Sequence, residues 1–97
     1  MAKVGGYTEL STVAKALDIL DMLSLQKQPV GTQAIADEMD ITYTSAKNYL
    51  VTMESRKYVR SVGGQWELGQ AVTMLYARRK AKLQAAQTNI NQELGND

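Results

Sequence analysis

The chain has 97 residues, which is too short for two independent hydrophobic cores. Its content of 44% hydrophobic and 6% aromatic side chains is typical of a folded domain. No apolar run approaches the roughly 18–20 residues of a membrane span, and the N-terminus lacks the apolar stretch of a signal peptide, so we expect a cytoplasmic protein. The sequence contains no histidine and no cysteine, which removes the usual zinc ligands and the commonest general base. We therefore expect no metal, no cofactor and no enzymatic activity.

The net charge of +1 conceals an uneven distribution along the chain. Residues 1–40 carry three basic and six acidic side chains, a sum of −3, whereas residues 41–82 carry eight basic and two acidic ones, a sum of +6. A basic segment of this kind is the electrostatic signature of a surface that binds phosphate groups. The middle of the chain is therefore where a nucleic-acid contact is expected.

The first predicted helix starts with Ser11 or Thr12 as its cap and ends near Gln26, ahead of Pro29, after residues 1–10 that we expect to be flexible. Apolar side chains recur at spacings of three and four, which predicts a single buried face. That face comprises Val13, Ala16, Leu17, Leu20 and Leu23.

Two shorter helices are predicted next. Thr32 is expected to cap a second helix that runs to Glu38 or Met39 and buries Ile35, Ala36 and Met39. Thr42 is expected to cap a third helix over residues 42–56, because its hydroxyl can accept the free amides of the first turn. The inward face of this third helix is predicted to comprise Ala46, Tyr49, Leu50 and Met53.

Residues 58–68 predict a β-hairpin closed by Gly63 and Gly64, which accept the positive φ angles of a two-residue turn. That turn fixes the pairing of the two strands, and it places Val59, Trp66 and Leu68 on one face. The predicted pairs are Val62 with Gln65, Ser61 with Trp66, Arg60 with Glu67, and Val59 with Leu68.

The remaining residues, 69–97, predict one long helix to about Glu93 with a polar tail. A long helix that projects from a small core gains little from intrinsic propensity, so we expect its apolar stripe to be covered by a second copy of the chain. The expected dimerisation residues are Val72, Leu75, Leu83, Ala86 and Ile90. The basic residues Arg78, Arg79, Lys80 and Lys82 allow three interpretations: a solvated face, an additional DNA contact, or the polar flank of the dimer interface.

Three helices with a short turn between the second and third, followed by a hairpin, is the element order of a winged helix-turn-helix. The predicted fold class is therefore mostly α with a small β-hairpin: a winged helix-turn-helix over residues 11–68, followed by a long C-terminal helix.

Several segments resemble the DNA-binding domain of IclR-type transcription regulators. They are residues 11–20 (STVAKALDIL), 33–36 (QAIA) with Met39, 41–50 (ITYTSAKNYL), and 58–59 (YV) with 66–69 (WELG). The chain departs from the family pattern at Thr42, Tyr49 and Asn48, where the family usually has Pro, Leu and Arg, so no operator sequence can be carried over. The family's large effector domain has no counterpart in these residues, so we expect no small-molecule effector. A compact regulator of the kind that phages and mobile elements encode fits this combination.

The third helix supplies the expected base contacts, because a helix fits the major groove and its polar side chains then meet base edges. These candidates are Tyr43, Thr44, Ser45, Lys47 and Asn48, with Asn48 suited to adenine and Lys47 to guanine or phosphate. The expected phosphate contacts are Lys15, Thr42, Arg56, Lys57, Arg60 and Gln65. Structural alternatives stay open: helix capping for Arg56 and Lys57, and a cross-strand pair with Glu67 for Arg60. Trp66 is expected to be a core residue.

These observations predict a sequence-specific regulator of transcription that binds double-stranded DNA as a dimer on a pseudo-palindromic site. The helix over 42–56 would lie in the major groove and the wing over 58–68 on the backbone. Two alternatives remain: a winged helix that binds protein, such as an antirepressor or an assembly adaptor, and a non-specific architectural DNA binder. A steep loss of binding between about 50 and 200 mM salt would favour DNA over a protein partner.

Overall fold

The structure, a computed structural model, describes the backbone of residues 7–95 and the side chains of residues 7–87. Within this range the chain forms four helices and a three-stranded antiparallel sheet of order β1-β3-β2. The predicted fold class is confirmed: a mostly helical winged helix-turn-helix is followed by a C-terminal helix. Residues 1–6 of the expected flexible N-terminus lie outside the described residues. The elements are α1 (Ser11–Ser24), β1 (Val30–Gly31), α2 (Thr32–Met39), α3 (Tyr43–Ser55), β2 (Val59–Val62), β3 (Gln65–Leu68) and α4 (Gln70–Gly95).

Helix α1 differs from its prediction at its start and in its phase. Leu10 occupies the N-cap position without a side-chain hydrogen bond, so neither Ser11 nor Thr12 caps the helix. The buried residues of α1 are Ile19 and Leu23, whereas Val13 is 53% and Leu17 is 56% exposed. The predicted inward face was therefore wrong for Val13 and Leu17, because two apolar stripes overlap on this helix and periodicity alone does not choose between them.

Helix α2 follows β1 without a gap, and Thr32 has a role that the capping prediction missed. The hydroxyl oxygen of Thr32, a buried side chain, accepts a hydrogen bond of 2.9 Å from Nε1 of Trp66, while Gly31 holds the N-cap position. The predicted buried residues Ile35 and Ala36 are confirmed. The helix ends at Asp40 in the left-handed conformation (φ 56°), a common way to close a helix.

The hairpin of β2 and β3 has the predicted register in all four pairs. Gly63 (φ 59°) and Gly64 (φ 80°) both take positive φ, as a type I′ turn requires. A third strand, β1, was not predicted, because two residues are too short to show an alternating pattern. It pairs Val30 with Trp66 on the free side of β3.

The core lies where α1, α2, α3 and the sheet meet, and α4 extends away from it. Two main-chain bonds of 2.9 Å fix the start of α4, from Gly69 N–H to the Tyr58 carbonyl and from Ala71 N–H to the Lys57 carbonyl. From position 73 to position 87 every α4 side chain is exposed. Nowhere in residues 7–95 does a helix have the length and hydrophobicity of a membrane span. The core residues are Ile19, Leu23, Ile35, Leu50, Met53, Val59 and Trp66.

The predicted apolar stripe of α4 is largely open to solvent. Leu75 is 47% and Leu83 is 52% exposed, Ala86 is exposed, and Val72 is half-buried. The side chain of Ile90 lies outside the described residues. The helix itself continues to Gly95, two residues beyond the predicted end.

Candidate nucleic-acid interface

Thr42 caps α3 as predicted, and the cap also engages Ser45. Oγ1 of Thr42 accepts the backbone N–H of Ser45 at 3.1 Å and donates its own hydroxyl proton to Oγ of Ser45 at 3.0 Å. Ser45 is half-buried. Its hydroxyl group is therefore partly committed to the start of α3, which weakens Ser45 as a base-contacting candidate.

The inward face of α3 is the predicted one, and it determines which side chains face outward. Ala46 and Leu50 are fully buried, Met53 is nearly so, and Tyr49 is half-buried. Successive residues of a helix turn by about 100°, so the opposite face carries positions spaced by three and four residues. We call these exposed side chains the outer ridge of α3; they are Thr44, Lys47, Asn48 and Val51.

Lys47 lies on the side of the outer ridge that faces the hairpin. Its Nζ is 5.2 Å from the centre of the Trp66 ring, a cation–π contact between α3 and β3. Trp66 is only 3% exposed and is also bonded to Thr32 of α2. One indole ring therefore joins both helices of the helix-turn-helix to the wing, and it holds a positive charge at the junction.

Arg56 and Lys57 lie at the opposite end of α3, where the chain turns into the hairpin. Lys57 takes the left-handed conformation (φ 70°), and the N–H of Tyr58 bonds back to the Met53 carbonyl at 3.0 Å. The helix end uses only the main-chain groups of Arg56 and Lys57. Both side chains are exposed, so their charges can reach a phosphate group. Together with Arg78 of α4 they line a small cleft of about 160 Å³.

Two other phosphate-contact candidates have protein partners in the structure. Arg60 forms a 2.9 Å ion pair with Glu67 across the hairpin, as the structural alternative proposed, and the pair is exposed enough to add little stability. The Lys15 ammonium lies 3.5 Å from the carbonyl oxygen of Met39, at the negative end of α2. Gln65 is exposed beside the turn.

An apolar groove runs between α1 and α3, next to the outer ridge. Its volume is about 560 Å³, and the exposed side chains of Val13 and Leu17 form much of its α1 wall. The groove was not predicted, because both residues were expected in the core. It is lined by Thr12, Val13, Ala16, Leu17, Ser45, Asn48, Tyr49, Thr52 and Met53.

Comparison with protein families assigns this arrangement. The IclR helix-turn-helix domain family matches residues 12–63, which is more than half of the chain and runs from the start of α1 through α2, α3 and β2 to the first glycine of the hairpin turn. The chain belongs to the IclR helix-turn-helix domain family. The match therefore bears out the resemblance seen in the sequence. The comparison with curated proteins gave no significant match.

Solved structures show the same fold for this IclR helix-turn-helix domain. It is similar to an IclR transcriptional regulator from Alicyclobacillus acidocaldarius, with a TM-score of 0.70 and 25% identity over 74% of this chain and 30% of that one. It is also similar to an IclR family regulator from Brucella abortus, with a TM-score of 0.65 and 18% identity over 84% of this chain and 33% of that one. The chain thus spans about a third of the length of these two regulators.

The structure of this IclR helix-turn-helix domain divides the predicted base-contact residues into three groups. Tyr43, Thr44 and Asn48 are exposed, Lys47 lies over the Trp66 ring of the hairpin, and Ser45 lies in the cap and in the groove that Asn48 also lines. Val51 was not among the candidates, although its position follows Asn48 by three residues and Thr44 by seven. That spacing was the available signal, and an apolar side chain was not expected on the polar face.

Proposed function

We propose that this IclR helix-turn-helix domain binds double-stranded DNA sequence-specifically and regulates transcription. The observation that carries the proposal is the outer ridge, where Thr44 and Asn48 project from a helix whose opposite face is locked into the core. An α-helix fits the width and depth of the major groove, and hydrogen-bonding side chains on its outer face then reach the base edges. In this proposal α3 lies in the major groove and the hairpin lies against the backbone.

The distribution of charge supports a nucleic-acid partner. Residues 41–82 sum to +6, and within the described residues the only ion pair in that segment joins Arg60 to Glu67. Lys47, Arg56 and Lys57 are exposed, which leaves their charges available to phosphate groups. Each phosphate that the protein neutralises releases counterions, so binding of this kind falls steeply as salt rises.

The exposure of α4 supports a dimer. A helix of 26 residues that leaves Leu75 and Leu83 half-exposed lacks the tertiary cover from which most helical stability comes. A second copy related by two-fold symmetry would cover both stripes, and it would bring two α3 helices to successive major grooves about 34 Å apart. In this proposal residues 69–97 carry dimerisation, and the bound site is pseudo-palindromic.

Selection of bound sequences from a pool of random duplexes tests the proposal most directly. We expect enrichment of two inverted half-sites separated by about one helical turn of DNA. Enrichment of a single half-site would contradict the dimer but support base recognition. A bound pool that stays random at low salt would instead indicate an architectural binder, and the sequence-specific function would then be wrong.

Asn48→Ala is expected to relax specificity at one base position and to weaken binding to the selected site by about 1–3 kcal/mol, the usual contribution of a bidentate base contact. Binding to random duplex should change little, because non-specific affinity comes from phosphate contacts. Titration of both duplexes by fluorescence anisotropy measures the two effects. Gln28→Ala, an exposed substitution in the loop before β1, is the matched control. An equal loss on both duplexes would remove Asn48 from base recognition.

Lys57→Asn is expected to weaken binding to every duplex alike. The change removes a charge while asparagine tolerates the left-handed conformation that this position requires (φ 70°). Loss of one phosphate contact should make the plot of log K against log salt shallower by about 0.9. Lys57→Arg keeps the charge and should keep the slope. If the two variants have the same slope, Lys57 does not contact phosphate.

A protein partner is the second candidate function, and the groove between α1 and α3 favours it. An apolar groove with exposed valine and leucine side chains is a common docking site for an amphipathic helix. The salt dependence of binding distinguishes the two functions. Affinity for DNA falls steeply as salt rises, because binding releases counterions, whereas contacts in an apolar groove involve no such release. Absence of any duplex binding at 50 mM salt would favour the protein-binding function.

A further inference from the structure

Val51 is the apolar member of an otherwise polar ridge. Its side chain is 49% exposed, and it lies one helical turn beyond Lys47 and Asn48 on the outer face of α3. A β-branched residue lowers helix propensity slightly, so the helix itself does not favour valine at an exposed position. The core does not require it either, since Ala46, Leu50 and Met53 form the buried face.

The spacing of the outer ridge matches that of a helix that lies along the major groove. Thr44, Lys47, Asn48 and Val51 stand at positions i, i+3, i+4 and i+7. The reading helix of homeodomains contacts DNA through four residues at this same spacing, with an asparagine at i+4 that binds adenine. Val51 therefore occupies the fourth position of this row. The other three positions, Thr44, Lys47 and Asn48, are predicted base contacts, and position 51 is not.

The chemistry of the major groove selects one target for an apolar side chain. Thymine is the base that presents a methyl group there, at C5, and apolar side chains contact it. Valine in a helix is held almost entirely in one χ1 rotamer, so little side-chain freedom is lost on contact. The three residues from Asn48 to Val51 advance about 4.5 Å along the helix, slightly more than the roughly 3.4 Å rise of one base pair.

We propose that Val51 is a specificity-determining residue that contacts the C5-methyl group of a thymine in the base pair adjacent to the one contacted by Asn48. The inference rests on the proposed DNA-binding function and adds a residue and a base to it. The operator half-site then contains a thymine next to the adenine bound by Asn48.

Replacement of thymine by deoxyuridine tests the contact, because it removes the methyl group and leaves base pairing intact. Each thymine of the selected half-site is replaced in turn, and affinity is measured for the wild type, Val51→Ala and Leu25→Ala. Leu25→Ala is the control, since it shortens an exposed aliphatic side chain at the end of α1, outside α3 and the hairpin. We expect one replacement to weaken wild-type binding about fourfold, the factor that burial of a single methyl group provides.

The test depends on whether the loss of affinity caused by Val51→Ala and the loss caused by replacing the thymine are additive. Val51→Ala should lose about the same factor on the thymine site and nothing further on the deoxyuridine site, whereas Leu25→Ala should behave as the wild type. Additive losses, or a half-site with no thymine beside the adenine, would overturn the role of Val51 while the selected sequence upheld the proposed function. Failure of the wild type to select any sequence would overturn both. Thermal unfolding of Val51→Ala should match the wild type, which excludes a folding defect.

Discussion

Trp66→Ala is expected to destabilise the domain by about 3–5 kcal/mol, the usual result of removing a large buried aromatic side chain. Trp66 is 3% exposed, packs in the core and pairs with Val30 and Ser61 in the sheet. Its loss would also leave the buried hydroxyl of Thr32 without its donor. A domain of this size has little stability to spare, so we expect a largely unfolded population near 37 °C. Urea unfolding followed by circular dichroism measures the change without relying on tryptophan emission.

Two further variants separate the packing of the indole ring from its hydrogen bond. Trp66→Phe keeps an aromatic ring but loses the Nε1–H donor, and Thr32→Val removes the acceptor while keeping the shape of the side chain. We expect each to cost about 1–3 kcal/mol, less than the alanine variant, because each leaves one buried polar group unpaired. If Thr32→Val were as stable as the wild type, the 2.9 Å bond between the two side chains would contribute nothing net.

Gly69→Ala is expected to destabilise the domain by roughly 2–4 kcal/mol, more than overpacking alone usually costs, because backbone atoms must move. A Cβ atom at this position would lie 2.4 Å from the carbonyl oxygen of Lys57 and 2.9 Å from its carbonyl carbon. That oxygen also accepts the N–H of Ala71. The substitution therefore disturbs the junction of the α3 turn, the hairpin and α4.

Gly31→Ala is the matched control for Gly69→Ala. A Cβ at Gly31 meets no atom within 4 Å, and its φ of −72° suits any residue. Alanine there should be neutral or slightly stabilising, since it reduces the freedom of the unfolded chain. If both variants melted at the same temperature, the close approach at Gly69 would not be a constraint on the fold.

Local signals in the sequence were sufficient for the hairpin and for α3. Gly63 and Gly64 determine a two-residue turn, and the turn determines every cross-strand pair, so the register followed from two residues. Thr42 stands directly before a helical pattern and caps α3 as expected. In both places the decisive interactions join residues that are close in sequence, where pattern and chemistry can be examined together.

The predictions that were wrong or missed depend on contacts between distant segments. Thr32 has the chemistry of a cap, but its hydroxyl accepts from Trp66, 34 residues further along the chain. The phase of α1 follows from which side of the helix the sheet covers, and this buries Ile19 and exposes Leu17. Lys57 in the left-handed conformation carries no local signal, because that conformation usually selects glycine or asparagine.

The tight junction at Gly69 has a consequence for distances far from it. Helix α4 extends about 39 Å over its 26 residues, from a junction that two main-chain bonds hold and that leaves no room for a Cβ at Gly69. Such a helix is a lever arm: a tilt of about 10° at the junction moves its far end by roughly 7 Å, which corresponds to about two base-pair steps of DNA. A side chain at position 69 would force the backbone near Lys57 to shift, and even a small shift at that point would change the direction in which the far end of α4 points relative to α3.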